Sequence, residues 1–481
     1  MKRLFIFLFV LATLTGCFSD VKEEIEANRY VNQWIHEYMS ALYYWNDELP
    51  AYKSSYANPE VYFETLINEE DRFSAIFDDY QEIMNKLNGV SASDVGFEFE
   101  LFRESSANNN VVGVVVYIKP GTNASAIGIK RGDIFRKING KQITMDNYSG
   151  LINTLYDATT KVSVTFSDFN GNSFIDRSPS SITKALNYKE DPVYLDTVYT
   201  IQNRKVGYLV YNFFTTDPGD ETMYYDLKMN NTFGACKQAN ITDLVIDLRY
   251  NSGGMVTSAI HLASMLVPNL TADKVLTYTD YNQNYTDYFN SEEFKQQYDV
   301  NPFIDNFATA IEVEKPAKHS YPVQNVGDRL QRIYFLTGRG TASASEMVIN
   351  GLKPYINCVL IGDTTVGKNV GSTLVYDEEN TKKNRWAMMP IILKYFNKDH
   401  QSDFTNGFVP DYLMQDDYSH SLGDTREALL AKALTQITGV QQGVSRVKGL
   451  SVSGFTVNGL WLEKKQRGLV VEKYLHNKCL Y

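Results

Sequence analysis

The spacing of apolar residues changes character along the chain, and each change predicts a new kind of element. Between Tyr30 and Leu49, the residues Val31, Trp34, Ile35, Tyr38, Met39, Leu42 and Trp45 recur at helical spacing, and Pro50 is the expected stop. Phe63 to Ile67 and Tyr80 to Leu87 predict further helix, so residues 30–88 read as a helical N-terminal domain. From about residue 90 the pattern alternates. Gly96 to Leu101, Val112 to Ile118, and the run Val162, Val164, Phe166 read as strands. Ile138-Asn139-Gly140-Lys141-Gln142-Ile143 reads as strand, Asn-Gly turn, strand. A β-rich domain over 89–169 is expected, followed by a polar and then extended linker over 170–204.

From Lys205 onward, strands alternate with helices. Val206 to Tyr211 is strand-like, and Leu244 to Arg249 reads as a strand buried on both faces. It runs into Tyr250-Asn251-Ser252-Gly253-Gly254 and then a helix carrying Ala259, Leu262, Ala263 and Leu266. Residues 267–331 form a long polar insertion rich in Tyr and Asn, read as lying near the active face as a lid or substrate wall, or as a solvated excursion. Ile333 to Leu336 predicts a strand, and Met347, Val348, Leu352 and Tyr355 share one helical face. Further strands are expected at Cys358 to Ile361 and Met388 to Phe396, with a helix from Thr425 to Ile437 capped at Leu422-Gly423-Asp424. An α/β domain over 205–440 and a polar tail over 441–481, with some alternation suggesting a hairpin, complete the chain.

The N-terminus has the pattern of a targeting segment. Lys2-Arg3 is followed by an apolar run, Leu4 to Leu14, too short to span a bilayer. Leu14-Thr15-Gly16-Cys17 resembles the bacterial lipobox, in which the Cys becomes the lipidated first residue. Residues 1–16 are thus expected to be a signal peptide and 17–29 a tether. That implies membrane attachment through Cys17 at the bacterial cell envelope. The formal net charge of -11 argues against a nucleic-acid partner. The 33 Tyr, many in polar surroundings, suggest exposed aromatic surface. Four Cys show no CxxC pair, and Cys236 and Cys358 are expected as small buried hydrophobes. Six scattered His show no ligand spacing, so neither metal nor cofactor is expected.

Candidate chemistry centres on Gly340-Thr341-Ala342-Ser343-Ala344-Ser345-Glu346. Small residues between a strand and a helix expose a hydroxyl and aim backbone N–H groups at one point, as a serine nucleophile needs. A plain serine N-cap gives the same local pattern. Gly253-Gly254, at the end of a strand, lets backbone N–H groups come close to a ligand. Gly362 to Lys368 fits a phosphate loop, but position eight is Asn369 and the next stretch, Ser372 to Tyr376, reads as strand. Lys368 is then available as a base, if an apolar pocket (Val366 and Val370 flank it) lowers its pKa. No Gly-x-Ser-x-Gly elbow with a His partner is present.

The β-rich region resembles a PDZ domain. Val95-Gly96-Phe97 matches that family's carboxylate-binding loop, and Arg131-Gly132-Asp133 with Ile138-Asn139-Gly140 matches its second half. Asp247-Leu248-Arg249-Tyr250-Asn251-Ser252-Gly253-Gly254, Thr341 to Glu346, Gly367-Lys368 and Phe408-Val409-Pro410-Asp411 follow in the order seen in the C-terminal processing peptidases, or tail-specific proteases. From about residue 30 to 437 the chain resembles that family. The resemblance implies a multidomain α/β protein: a helical N-terminal domain, a PDZ-like domain and a crotonase-like catalytic domain. It implies a Ser343–Lys368 dyad, with the N–H of Ala344 and of Gly253 or Gly254 holding the oxyanion and Ser345 as a helix cap. Many members carry Gln four residues after the Lys, where it orients the Lys; here Ser372 stands there, so either its shorter hydroxyl holds the amine or the site is weaker. The implied activity is a serine endopeptidase acting on proteins or peptides presented by unstructured or C-terminal segments, with Val95, Gly96 and Phe97 in substrate capture or gating. The alternative is an inactive PDZ-bearing lipoprotein that binds peptide or polymer.

Overall fold

A computed structural model describes residues 25–104, 108–170 and 173–442. The signal peptide, Cys17 and the tail beyond residue 442 lie outside the described residues. The protein is a multidomain mix of α and β structure, as expected.

Among the described residues the first helix covers 25–42 and ends earlier than the spacing predicts. It ends well before Pro50 because the backbone is recruited elsewhere: the Tyr44 N–H donates to Ile391 O at 2.8 Å, and Asn282 Nδ2 donates to the carbonyls of Ala41 and Tyr43. A short helix at Pro59–Glu64 stops before Ile67, while Tyr80–Leu87 forms as predicted, capped by Asp79. The apolar face of the first helix joins the core of the α/β domain. The strand Ala75–Phe77 pairs with Ala387–Met389, stitching the two regions together.

The β-rich region orders Phe97–Arg103, Val111–Ile118, Ile134–Ile138 and Lys161–Phe169 as neighbouring antiparallel strands around their own core of Phe97, Phe99, Phe135, Val164 and Phe166. Much of the stretch read as a linker is built into sheets. Ser180–Thr183 pairs with Lys161–Phe169, Ala185–Lys189 pairs with Val90–Asp94, and Val193–Ile201 becomes the antiparallel edge of the α/β sheet.

That α/β sheet continues with Arg204–Tyr211, Asp243–Asp247, Arg332–Thr337, Asn357–Gly362 and Tyr412–Leu413, all parallel. Helices Tyr224–Ala239, Val256–Leu266 and Ala344–Leu352 cover one face, and Ala428–Thr438 covers the other. The last helix starts later than predicted because Glu427, fully buried, is its N-cap. The Tyr-rich insertion is not an aromatic surface. Its strand Val275–Tyr281 joins a second sheet, and Tyr281, Tyr285, Phe289, Phe294 and Phe303 pack ring against ring. Cys236 is buried, Cys358 is half-buried, and both are free thiols.

Candidate active site

Two turns meet at the C-terminal ends of the parallel strands. The first leaves strand Arg332–Thr337 and enters the helix Ala344–Leu352, with Ser343 at the N-cap at φ 59 and ψ -115. A non-glycine residue in this backbone region stores strain on the order of 1–3 kcal/mol, held only where surrounding contacts over-determine it. Those contacts are present. All nine residues of the helix are buried, more than the single apolar face predicted, because the helix lies between the α/β sheet and the second sheet. The Ser343 Oγ is itself buried and makes no hydrogen bond among the described residues. Ser345 is not the cap; it lies inside the helix and its hydroxyl donates to Asn251 O at 3.1 Å.

The second turn follows strand Asn357–Gly362 and carries Lys368, which is 2% exposed. What comes next is the strand Val370–Ser372, so no helix N-terminus is present to cradle phosphate. Burial pushes the Lys368 ammonium down to about 8, outweighing the opposite pull of Asp71 and Glu346. Val370 is buried as expected, but the ring facing Lys368 Nζ is Phe73, with its centroid 5.2 Å away. Phe73 belongs to the N-terminal region. Its neighbour Arg72 donates to Gly367 O at 3.1 Å and to Thr405 O at 2.7 Å, clamping the segment over the lysine turn. A cavity of about 240 Å³ opens beside the turn, lined by Tyr44, Trp45, Arg72, Phe73 and Val370. Ser372 is fully buried and pairs with Ile391 across the second sheet.

One carboxylate holds the two turns together. Glu346 Oε2 accepts the N–H groups of Ser343 and Lys368, each at 2.8 Å. Its Oε1 accepts the Thr365 hydroxyl at 2.6 Å and the Gly367 N–H at 2.7 Å. Burial raises the Glu346 carboxyl, and these four donors act against that rise. Thr365 Oγ1 in turn takes the Phe408 N–H at 2.7 Å, which brings the Phe408-Val409-Pro410-Asp411 loop into the same frame. Tyr395 adds a second brace, donating to Lys368 O at 2.9 Å. Sequence reasoning assigned no role to Glu346, Phe73, Arg72 or Tyr395. Only Glu346 left a signal: a Ser with a Glu three residues later is the capping-box pattern.

The third component is the turn after Asp243–Asp247. Gly253 has φ 104, and a Cβ there would lie 2.8 Å from Ser343 Cβ, so the turn needs glycine for both its backbone and its close approach to Ser343. The Gly253 N–H donates to Asn251 Oδ1 at 2.9 Å. That leaves Gly254, at φ 138, as the glycine whose amide is not held by Asn251. Just before this turn, Arg249 pairs with Asp247, Glu427 and Asp416. Asp416 also binds Arg131 of the β-rich domain at 2.7 Å, and Tyr250 hydrogen-bonds to both Arg131 and Asp416. Burial works to raise Asp416, but the Arg131 and Arg249 guanidiniums hold it well below the usual carboxylate range.

The loop Val95-Gly96-Phe97 lies in the β-rich domain, apart from these turns and wholly buried. Ser343, Ala344, Lys368 and the Gly253-Gly254 turn are thus brought together through Glu346 and the glycine contact, whereas the β-rich domain meets the site through Arg131.

Comparison with known proteins gives a consistent picture. Residues 205–414 match Peptidase family S41, and residues 30–75 match the Peptidase S41 N-terminal domain. The two matches together span just over half of the chain. A Staphylococcus aureus protein described as a probable CtpA-like serine protease is 25% identical over 308 residues, covering 62% of this chain and 50% of its own length. A Staphylococcus saprophyticus protein of the same description is 22% identical over 390 residues, covering 79% and 66%. The chain spans about half the length of the Staphylococcus aureus relatives it matches. A crystal structure of a Bacteroides fragilis protein assigned to the S41 proteases shares the fold, with TM-score 0.63 at 23% identity over 85% of this chain and 98% of that one.

Proposed function

Because the chain belongs to the peptidase S41 family of serine peptidases, we propose that it is an endopeptidase using Ser343 as nucleophile and Lys368 as base. The observation that carries this reading is a lysine buried beside a strained serine turn, its pKa down to about 8, with both turns fixed by one carboxylate. Near pH 8 a large share of Lys368 is neutral and can take the Ser343 proton as Oγ attacks a peptide carbonyl. The oxyanion goes to the N–H groups of Ala344 and Gly254. The Lys368 ammonium then returns its proton to the leaving amine, and water releases the acyl group.

In this reading the PDZ-like domain captures substrate and gates the site. The support is the Arg131–Asp416–Arg249 chain, which ends four residues before Gly253. Cys17 carries a lipid anchor at the cell envelope; loss of fatty-acid labelling in Cys17→Ser is the expected result, and label retained in that variant sinks this part. The main test incubates the chain from Phe18, beside Ser343→Ala and Lys368→Ala, with an unfolded protein, and reads fragments by mass spectrometry. Cleavage by wild type alone is expected. Cleavage that persists in Ser343→Ala overturns the dyad.

A further inference from the structure

The PDZ-like domain holds a buried ion cluster that the peptide-bond chemistry does not use. Lys119, just past strand Val111–Ile118, is 2% exposed. Its ammonium meets Asp94 Oδ2 at 2.6 Å, Glu98 Oε1 at 2.9 Å and Glu190 Oε2 at 3.1 Å. One ammonium therefore faces three carboxyl groups, an excess of acid, with Glu98 at the partly open side of the cluster. Asp94 and Glu190 are themselves buried, and Tyr117 donates to Glu190 at 2.7 Å.

This cluster occupies the place where a free peptide C-terminus would be read. The Gly96 N–H, the middle amide of Val95-Gly96-Phe97, donates to Asp94 Oδ1 at 2.7 Å. The Gly96 carbonyl accepts the Lys119 N–H at 3.0 Å and the Thr122 hydroxyl at 3.3 Å. Ser93 through Phe97 are all buried. Glu190 follows Ala185–Lys189, the strand that pairs with Val90–Asp94, so the chain itself closes this loop. A carboxylate arriving there has to displace a buried, ion-paired carboxylate from its amide and then meets surplus acid. The neighbouring strand Phe97–Arg103 is different. It lies at the end of its sheet with one strand partner, Val111–Ile118, and an edge of that kind accepts another extended chain.

We infer that the PDZ-like domain captures a neutral or basic interior stretch of the substrate by strand addition along Phe97–Arg103, and does not select a free C-terminal carboxylate. This rests on the peptidase reading above and names its substrate class: polypeptide engaged away from its end.

The test uses two unstructured polypeptides of identical sequence, one ending in a free acid and one in an amide, and compares their rates of internal cleavage by the chain from Phe18. Equal rates, or faster cleavage of the amide, are expected. Cleavage of the acid about tenfold faster overturns the inference and leaves the peptidase reading standing. Cleavage of neither form overturns both. Glu98→Gln, which keeps the buried Lys119–Asp94 pair, is expected to raise the rate on the acid form several-fold relative to the amide; an unchanged ratio removes the cluster from specificity. Hydrogen exchange with the amidated polypeptide bound to Ser343→Ala should show new protection at residues 97–103. No protection there overturns strand addition.

Discussion

Lys368 and Lys119 are buried to the same extent, each 2% exposed, yet their environments oppose one another. Lys119 touches three carboxylates, and although burial works to lower its pKa, Asp94, Glu190 and Glu98 raise it well above the ordinary value. Lys368 faces the Phe73 ring, and burial prevails, bringing it down to about 8. Burial alone therefore does not make a lysine a base. What matters is whether acid follows it into the interior. One region of this protein has invested a buried cation in holding a fold together, and the other keeps its cation under-compensated, ready to be neutral.

The contrast can be broken at several points, beginning with the largest effect. Removing either member of the proposed dyad, Ser343→Ala or Lys368→Ala, should lower cleavage at least about 10³-fold, because a nucleophile and its base act as a unit; initial rates on an unfolded protein check this. Lys119→Met should strand the buried carboxyls of Asp94 and Glu190 and cost about 3–5 kcal/mol, read as a lower midpoint in denaturant. Lys368→Met should do the reverse and stabilise the fold by up to about 3 kcal/mol near pH 7. The sign follows from the shift. The folded pKa, about 8, lies below the ordinary 10.5, so the unfolded chain binds this proton more tightly. The destabilisation is complete below about 8 and fades as pH rises to 10.5, and the gain from Lys368→Met should fade over the same window.

Smaller changes sharpen the comparison. Glu346→Gln replaces an acceptor of four donors with a group that points an NH₂ at some of them, and should lower kcat about 10–100-fold with little change in KM. The wild-type rate should fall about tenfold per pH unit below about 8, where Lys368 is protonated. Phe73→Ala opens the lysine to water and should move that limb upward by roughly one pH unit. A pH–rate profile that stays in place would mean the ring does not set the base.

The backbone plan was legible in local pattern. Strict alternation at Phe97 to Leu101, the two-sided apolar run at Leu244 to Leu248 and the small-residue turn before Met347 each contain their own explanation, since the period of burial is a property of neighbouring residues. Ser343, Ala344, Lys368 and the glycine pair stood out for the same reason: each occupies a turn at the end of a readable strand. Elements failed to match where a distant partner intervened. The first helix ends early because Ile391 and Asn282 take its backbone, and the last helix begins late because Glu427 is committed to Arg249. The Tyr-rich insertion left lid, substrate wall and solvated excursion open, because its polar spacers hid a ring cluster that closes only in three dimensions.

By itself, then, the sequence determined the strands and the turns that present Ser343, Lys368 and the glycine pair. Local periodicity and turn chemistry are short-range, and both survive in one dimension. The tertiary structure decided what each group faces: that Phe73 from the N-terminal region covers Lys368, that Glu346 binds two turns into one site, and that Asp94 already sits on the Gly96 amide. Those contacts set charge and access, because solvation and Coulomb interaction depend on distance through space, and distance along the chain does not report it.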